Sequence, residues 1–463
     1  MKLSKSFFAG FLLLLFYAPH SQAQTATVNW NNLDQVIDGF GVSTTGETSP
    51  LTSAQATFFF STGSGDLGLS LLRTEIPYWG ACNTISAACA WEISDMQNAV
   101  ANGTRVWSTA VSPPAAMKSN GSEICNTGSG NGYLLPGSYS AYATYLSNYV
   151  QSLSSLYGIS LYALSVQNEP DFCPTTYQGA VWSSSQLDTF IKNNLGPTFV
   201  ANGLTSTLIV MPETSLWSSF TSYASTTMAD STAAAYVGIN AWHDYDSASS
   251  ITNPYASQGK KFWETEASAG SGYGPSLCGG CWDPSMADGL LWAAIIDNRM
   301  AVANANAWNW FWTIDYATSD NSGLIGSDGV TVAKHAYVLG NYAKFVRPGM
   351  YRIDATHTPQ SGVLVSAYKN STSGALVIVV INQNSSDVSQ TFTLNGTTAS
   401  SVTPWVTSGS LNLAQQPDVS VSGGSFTYSL PASSISSFVG NTTTASGPPA
   451  APMPPTQLTA TAR

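Results

Sequence analysis

Charge is what this sequence has least of. Of 463 residues only 15 are Lys or Arg and 26 are Asp or Glu, so charged side chains make up 9%, against about 25% in ordinary soluble domains. The net charge is −11. Few cations on an acidic chain exclude a nucleic-acid partner, whose affinity rests on Lys and Arg neutralising phosphates. Histidine is scarcer still, with four in the whole sequence. Zinc at Cys278-Gly279-Gly280-Cys281 therefore lacks partner ligands, and no second C-x-x-C exists to supply them. Also missing are a G-x-S-x-G elbow, a G-x-x-x-x-G-K-[ST] loop, an H-E-x-x-H helix and a G-x-G-x-x-G turn after the first strand candidate. Beyond the N-terminus no apolar stretch is long enough to cross a bilayer.

Apolar and aromatic residues are abundant. Hydrophobic residues make up 43%, with 14 Trp, 21 Tyr and 18 Phe, which excludes disorder and allows two or three domains. Lys2 and Lys5 precede an apolar run from Phe7 to Tyr17, and Ser21-Gln22-Ala23 follows. That order predicts a secretory signal peptide over 1–23, cleaved after Ala23. Export to an oxidising compartment suits six cysteines. Of the possible pairings, Cys82–Cys89, Cys125–Cys173 and Cys278–Cys281 are favoured.

Between 36 and 345 short β-rich runs alternate with helical patterns. Strands are expected at Val36–Gly41, Leu69–Glu75, Arg105–Val111, Ile159–Gln167, Thr207–Glu213, Tyr236–His243, Lys260–Glu266 and Ala305–Thr313. The clearest helix is Ser140–Tyr157, with Ser140 as its cap and Gly158 at its C-terminal turn. Ser285–Asn304 and His335–Val346 also show helical periodicity. Eight such units predict an α/β fold, a (β/α)8 TIM barrel, rather than an open doubly wound sheet. Residues 346–440 read as six short strands with Gly, Asn and Ser turns, a side-docked β-sandwich that residues 24–35 join with a strand at Thr27–Asn31. A Pro/Ser/Thr linker over 441–455 leads to 456–463, the start of a truncated further module.

Catalytic groups of a barrel lie at the C-terminal ends of its strands. Two of these ends carry carboxylates: Gln167-Asn168-Glu169-Pro170-Asp171 and Trp263-Glu264-Thr265-Glu266. A facing pair of carboxylates is what glycoside hydrolysis needs. Glu169 is the candidate acid/base and Glu266, nearer the mouth, the candidate nucleophile. Alternation places Glu264 on the same face as Glu266, as a polar neighbour. Glu213 also ends a strand and is a candidate for lining the site. His243 ends another and suits a hydrogen-bonding role, whereas His335 and His357 suit structural ones. Trp79, Trp242, Tyr245, Trp310 and Trp312 are candidate platforms for sugar rings. Glu169 is expected to hold its proton through the nearby charge of Glu266. No metal or cofactor is implied.

These residues resemble those of glycoside hydrolase family 30, over nearly all of 27–440. The likeness rests on Ile37-Asp38-Gly39-Phe40-Gly41, Ser112-Pro113-Pro114-Ala115-Ala116-Met117-Lys118, the segment Leu164 to Asp171, and Trp263 to Glu266. Within the family the chain is similar to the bacterial endo-xylanase branch, through Ala343 to Gly349, Arg352 to Thr356 and Val365 to Lys369. The resemblance implies a retaining mechanism, with Asn168 holding the sugar 2-hydroxyl and Arg73, His243 and Tyr245 orienting the nucleophile. The expected protein is a secreted, monomeric enzyme acting on xylan, with no nucleic-acid or membrane partner. Two departures stand out. Val111 replaces the Trp expected before Ser-Pro-Pro. The segment Trp310 to Tyr316 lacks the arginines that grip a glucuronosyl carboxylate, and Asp315 there would repel one. The expected activity is therefore a xylanase that needs no glucuronosyl branches. A β-1,6-glucanase, β-1,6-galactanase or glucosylceramidase is the alternative within the family. A carbohydrate-binding protein is the alternative outside it, but would not need the paired glutamates.

Overall fold

The computed structural model describes residues 24–47, 49–78, 90–128, 130–246, 248–270, 272–315, 317 and 320–442. The expected signal peptide, Trp79, the Cys82–Cys89 pair, almost all of the expected linker and the truncated module lie outside the described residues.

The chain starts with a long strand, β1 (Thr25–Val36), and then enters eight parallel strands. These are β2 (Gly39–Ser43), β3 (Leu71–Ile76), β4 (Arg105–Ala110), β5 (Ala163–Ser165), β6 (Leu208–Thr214), β7 (Val237–His243), β8 (Lys261–Glu266) and β9 (Ala307–Ile314). Each pairs with the next, and β9 pairs with both β2 and β8, which closes the barrel. All eight expected strands are present, β5 much shorter than the sequence pattern. Its flanking residues turn out of the ladder to build the segment around Asn168 and Glu169.

Inward-facing Leu71, Trp107, Ala163, Val210, Ile239, Ala241, Trp263 and Ala307 fill the lower barrel, as layered side chains do in this fold. β2 contributes only glycine there. A Cβ on Gly41 would lie 2.2 Å from Asn309 Oδ1, 2.7 Å from Leu71 Cβ and 2.9 Å from its carbonyl, and backbone cannot yield. Gly41→Ala is therefore expected to destabilise the barrel by about 1–3 kcal/mol, read as a lower denaturant midpoint at unchanged slope.

The helix after β4 runs Tyr139–Tyr157 and ends on Gly158 at φ 69°, so its C-terminal turn agrees with the sequence. Ser140 is not its cap. It lies inside the first turn, because Pro136–Ser138 forms a 3-10 turn that carries the chain directly into the helix. Ser285 does cap the helix Met286–Asp297. Among the described residues, no helix is long and apolar enough to cross a membrane.

The second domain gathers ten strands, β1 included, into one connected sheet folded over its own core. Sequence reading missed Tyr351–Ala355, which pairs antiparallel with β1. The run Ala375–Asn382 is apolar throughout because both of its faces are covered. Leu376, Ile378 and Val380 enter the sandwich core, while Val377, Val379 and Ile381 pack against the helical layer of the barrel. Asn341 ties the domains with bonds to the Trp405 carbonyl (2.9 Å) and Ser437 Oγ (3.0 Å). His335 and His357 are held by carboxylates other than Glu169 and Glu266, Asp288 (2.7 Å) and Asp297 (2.6 Å) respectively.

Candidate active site

The residues after β5 form the site's most constrained turn. Glu169 has φ 46°, a left-handed conformation worth about 1–3 kcal/mol of strain in a non-glycine residue. Its neighbours hold it there. Gln167 donates to the carbonyls of Val111 (2.7 Å) and Asn168 (2.8 Å) and accepts from Trp182 Nε1 (3.1 Å). Asp171 accepts from the backbone N–H and hydroxyl of Ser215, at 2.8 and 3.0 Å. The Cys125–Cys173 disulfide joins this loop to the one after β4. Each polar residue around Glu169 thus has a bracing partner.

Glu266 is aimed by an irregularity in β8. Trp242 pairs with Glu264, yet the next pair is His243 with Glu266, so β8 carries one extra residue. Such a bulge reverses the side-chain alternation. Glu264 consequently does not share the face of Glu266. It lies beside Trp242, which belongs to the outer core, and accepts from the N–H groups of Glu266 (2.7 Å) and Asn309 (3.0 Å). Burial pushes the Glu264 carboxyl well above the usual range.

At the mouth, Glu266 accepts from Arg73 Nη1 (2.5 Å) on one oxygen and from the Tyr245 hydroxyl (2.7 Å) on the other. Arg73 Nη2 also donates to Asn168 Oδ1 (2.6 Å). His243 Nδ1 lies 3.1 Å from Glu169 Oε1 and 3.7 Å from Glu266 Oε1. Arg73, Asn168, Glu169, His243, Tyr245 and Glu266, all singled out from sequence, meet in one cluster. The Glu169 carboxyl is raised above its ordinary value, chiefly by burial, with a smaller contribution from Glu266 and an opposing one from His243. Desolvation is therefore the main cause, not the like charge expected from sequence. Burial alone would lower His243, but Glu266, Glu169 and Glu213 together push it up to about 10.

Oxygens of Glu169 and Glu266 and a ring nitrogen of His243 lie within 4.8 Å of one another, a spacing from which a metal could take three donors. The rest of the chemistry opposes that use. His243 holds a proton a metal would have to displace, and Arg73 and Tyr245 already engage Glu266.

The aromatic candidates divide. Trp312 is partly exposed, stacks on Phe311 at 4.4 Å and donates its indole N–H to Thr45. Trp310 is not a platform. It is fully buried against His335, with ring centroids 4.3 Å apart, and β9 shifts register between Trp310 and Trp312, so the two do not share a face. Trp242 is likewise buried, stacked on Phe262. Val111 is buried as well and leaves no stacking surface. Asp315 is 4% exposed, so it does not present its charge to a substrate.

Sequence reading overlooked three rings. Tyr177 and Phe172 are exposed on the loop after Glu169, and Tyr177 is raised by burial and then by the charges of Glu169 and Glu266. Tyr273 meets Tyr245 edge-on at 5.4 Å. All three lie on loops, where periodicity gives no signal. Glu213, only an outside candidate in the sequence, proves central.

Two family models match the chain: the glycosyl hydrolase family 30 TIM-barrel domain over 84–316 and the glycosyl hydrolase family 30 beta sandwich domain over 349–438. The chain belongs to glycoside hydrolase family 30. Glucuronoxylanase XynC of Bacillus subtilis is 31% identical over 432 residues, 90% of this chain and 92% of XynC. The crystal structure of the family 30 subfamily 8 xylanase Xyn30A from Clostridium acetobutylicum superimposes with a TM-score of 0.78 at 34% identity, covering 90% of this chain and 99% of that one. Endo-1,6-beta-D-glucanase neg1 of Aspergillus fumigatus is 27% identical over 339 residues, 64% of this chain and 63% of neg1. This family 30 hydrolase is a glycosidase built on a TIM barrel with a C-terminal β-sandwich.

Proposed function

We propose that this family 30 hydrolase is a secreted endo-β-1,4-xylanase that cleaves with retention and needs no glucuronosyl branch. The observation that carries the mechanism is the pairing of Glu169 and Glu266, with oxygens inside a 4.8 Å cluster. Retaining glycosidases hold their carboxyls about 5–5.5 Å apart, whereas inverting ones need about 6.5–9.5 Å to admit water. Similarity to named xylanases over 90% of the chain supports the substrate class. The Cys125–Cys173 and Cys278–Cys281 disulfides and the N-terminal sequence support secretion. The boundaries 36–345 for the barrel and 346–440 for the sandwich belong to the same proposal.

In the first step, Glu266 attacks the anomeric carbon while Glu169 protonates the departing oxygen. Glu266 becomes an ester and loses its charge. Glu169, now a carboxylate, takes a proton from water, which attacks the same carbon and releases Glu266. Arg73 and Tyr245 keep the nucleophile from rotating, and Arg73 fixes Asn168 through its carbonyl, leaving the amide N–H to meet the sugar 2-hydroxyl.

A site built around an ionic grip discriminates steeply against substrates that lack the gripped group. Without that grip, linear xylan and glucuronoxylan are expected to be cleaved at rates within about tenfold of each other, with β-1,6-glucan untouched. Product analysis on the three polymers checks this. Loss of cleavage when branches are trimmed would overturn the branch reading, and cleavage of β-1,6-glucan alone would overturn the substrate.

A further inference from the structure

Glu213 is buried behind the two candidate catalytic carboxylates. Its Oε1 accepts from Arg73 Nε (3.2 Å) and Nη2 (3.0 Å), its Oε2 accepts from the Thr109 hydroxyl (2.7 Å), and His243 Nε2 lies 3.5 Å from Oε1. Its carbonyl accepts the Glu169 N–H at 3.0 Å. Like Glu169 it is left-handed, at φ 58°. Glu213 therefore touches both cations of the site, and each cation holds one of the other carboxylates: Arg73 holds Glu266, and His243 holds Glu169. Its backbone also holds the strained residue that carries the candidate acid.

We propose that Glu213 is a positioning residue whose fixed negative charge keeps His243 a cation and Arg73 aimed, so that both reacting carboxylates are set by one buried anion. This rests on the roles given above to Glu169 and Glu266. The groups facing this anion are Arg73 on β3, Thr109 on β4, Ser165 on β5 and His243 on β7. Glu266, Glu169 and Tyr245 form the next ring around the two cations. Burial alone would raise Glu213, but Arg73 and His243 hold it down at about 2. It has no proton to give and does not act as an acid. It balances charge instead. Arg73 and His243 bring two positive charges into a dry site that Glu266 alone would neutralise only in part. Without Glu213 the cheapest relief is for His243 to release its proton, which frees Nδ1 to take up either tautomer and removes the fixed N–H donor at Glu169.

The test is Glu213→Gln, which keeps shape and removes charge. Imidazole nitrogen NMR on the whole protein reads the protonation of His243 without any substrate. The expected result is a His243 that is neutral at about pH 8, its titration moved down by about two units or more, with kcat on xylan lowered about 10- to 100-fold and KM within about twofold. Thr109→Val, which removes one hydrogen bond but leaves the anion, is expected to fold and to leave His243 protonated at about pH 8. It answers for the case in which Glu213→Gln does not fold: a neutral His243 in Thr109→Val, or an unmoved His243 in folded Glu213→Gln, overturns the proposal. A merely structural role would lower thermal stability without moving that titration. An inactive wild type with the expected His243 shift would count against the xylanase reading alone.

Discussion

Glu266→Gln is expected to lower kcat on xylan by about 10^4-fold or more, on the order of 5 kcal/mol of transition-state stabilisation. The amide cannot form the glycosyl ester, so double displacement has no first step. Its environment adds a second penalty. Both carboxylate oxygens of Glu266 face donors, Arg73 Nη1 and the Tyr245 hydroxyl. An amide keeps only one acceptor oxygen, so its NH2 must replace the acceptor now facing Arg73 or Tyr245, and that group loses its present partner. The variant should keep its fold, because the strand is held by its backbone ladder with β7. A slow mechanism-based sugar carrying fluorine at carbon 2 should label the wild type at Glu266, as peptide mass analysis would show. Activity surviving in the variant, or the label falling on another residue, would sink the assignment.

The same residue shows how far sequence reaches. That β8 ends in a mouth-facing carboxylate follows from alternation and from barrel architecture, and Asn168, Glu169, His243 and Tyr245 all fall where strand ends predict. The bulge at Thr265 does not announce itself, because one extra residue leaves the composition of Trp263-Glu264-Thr265-Glu266 unchanged. It parts the two glutamates, so that Glu266 alone faces inward and Glu264 turns from neighbour into backbone support. The register shift in β9 hid the fate of Trp310 in the same way. Glu213 was legible as a strand-end acid, but not as the partner of Arg73, since the two are brought together only by barrel closure. Tyr177 and Tyr273 depend on loop paths that hydrophobic pattern does not encode. What the sequence carries is periodicity and the chemistry of strand ends; what it conceals is where periodicity slips by one residue.

Glu169→Ala is expected to lose about 10^3- to 10^4-fold on xylan, within the usual worth of a positioned acid/base, but in a way that depends on the leaving group. Xylan departs as an alkoxide and needs the proton, so its first step fails. An aryl xyloside with an acidic phenol leaves unaided, so the ester at Glu266 forms and then accumulates, because no base activates water. Azide needs no such base. It fits the space the side chain vacates and should restore turnover of the aryl substrate while forming a glycosyl azide of retained configuration. The pH profile separates the two forms of Glu169. Burial raises the Glu169 carboxyl, so in the wild type the acid form persists above the ordinary carboxyl range and kcat/KM falls as pH climbs through that raised value. In the variant that alkaline limb should vanish for the aryl substrate, since no proton is donated. A limb that stays in place would assign it to another group. His243 would be the first to examine, because its proton faces the same oxygen of Glu169.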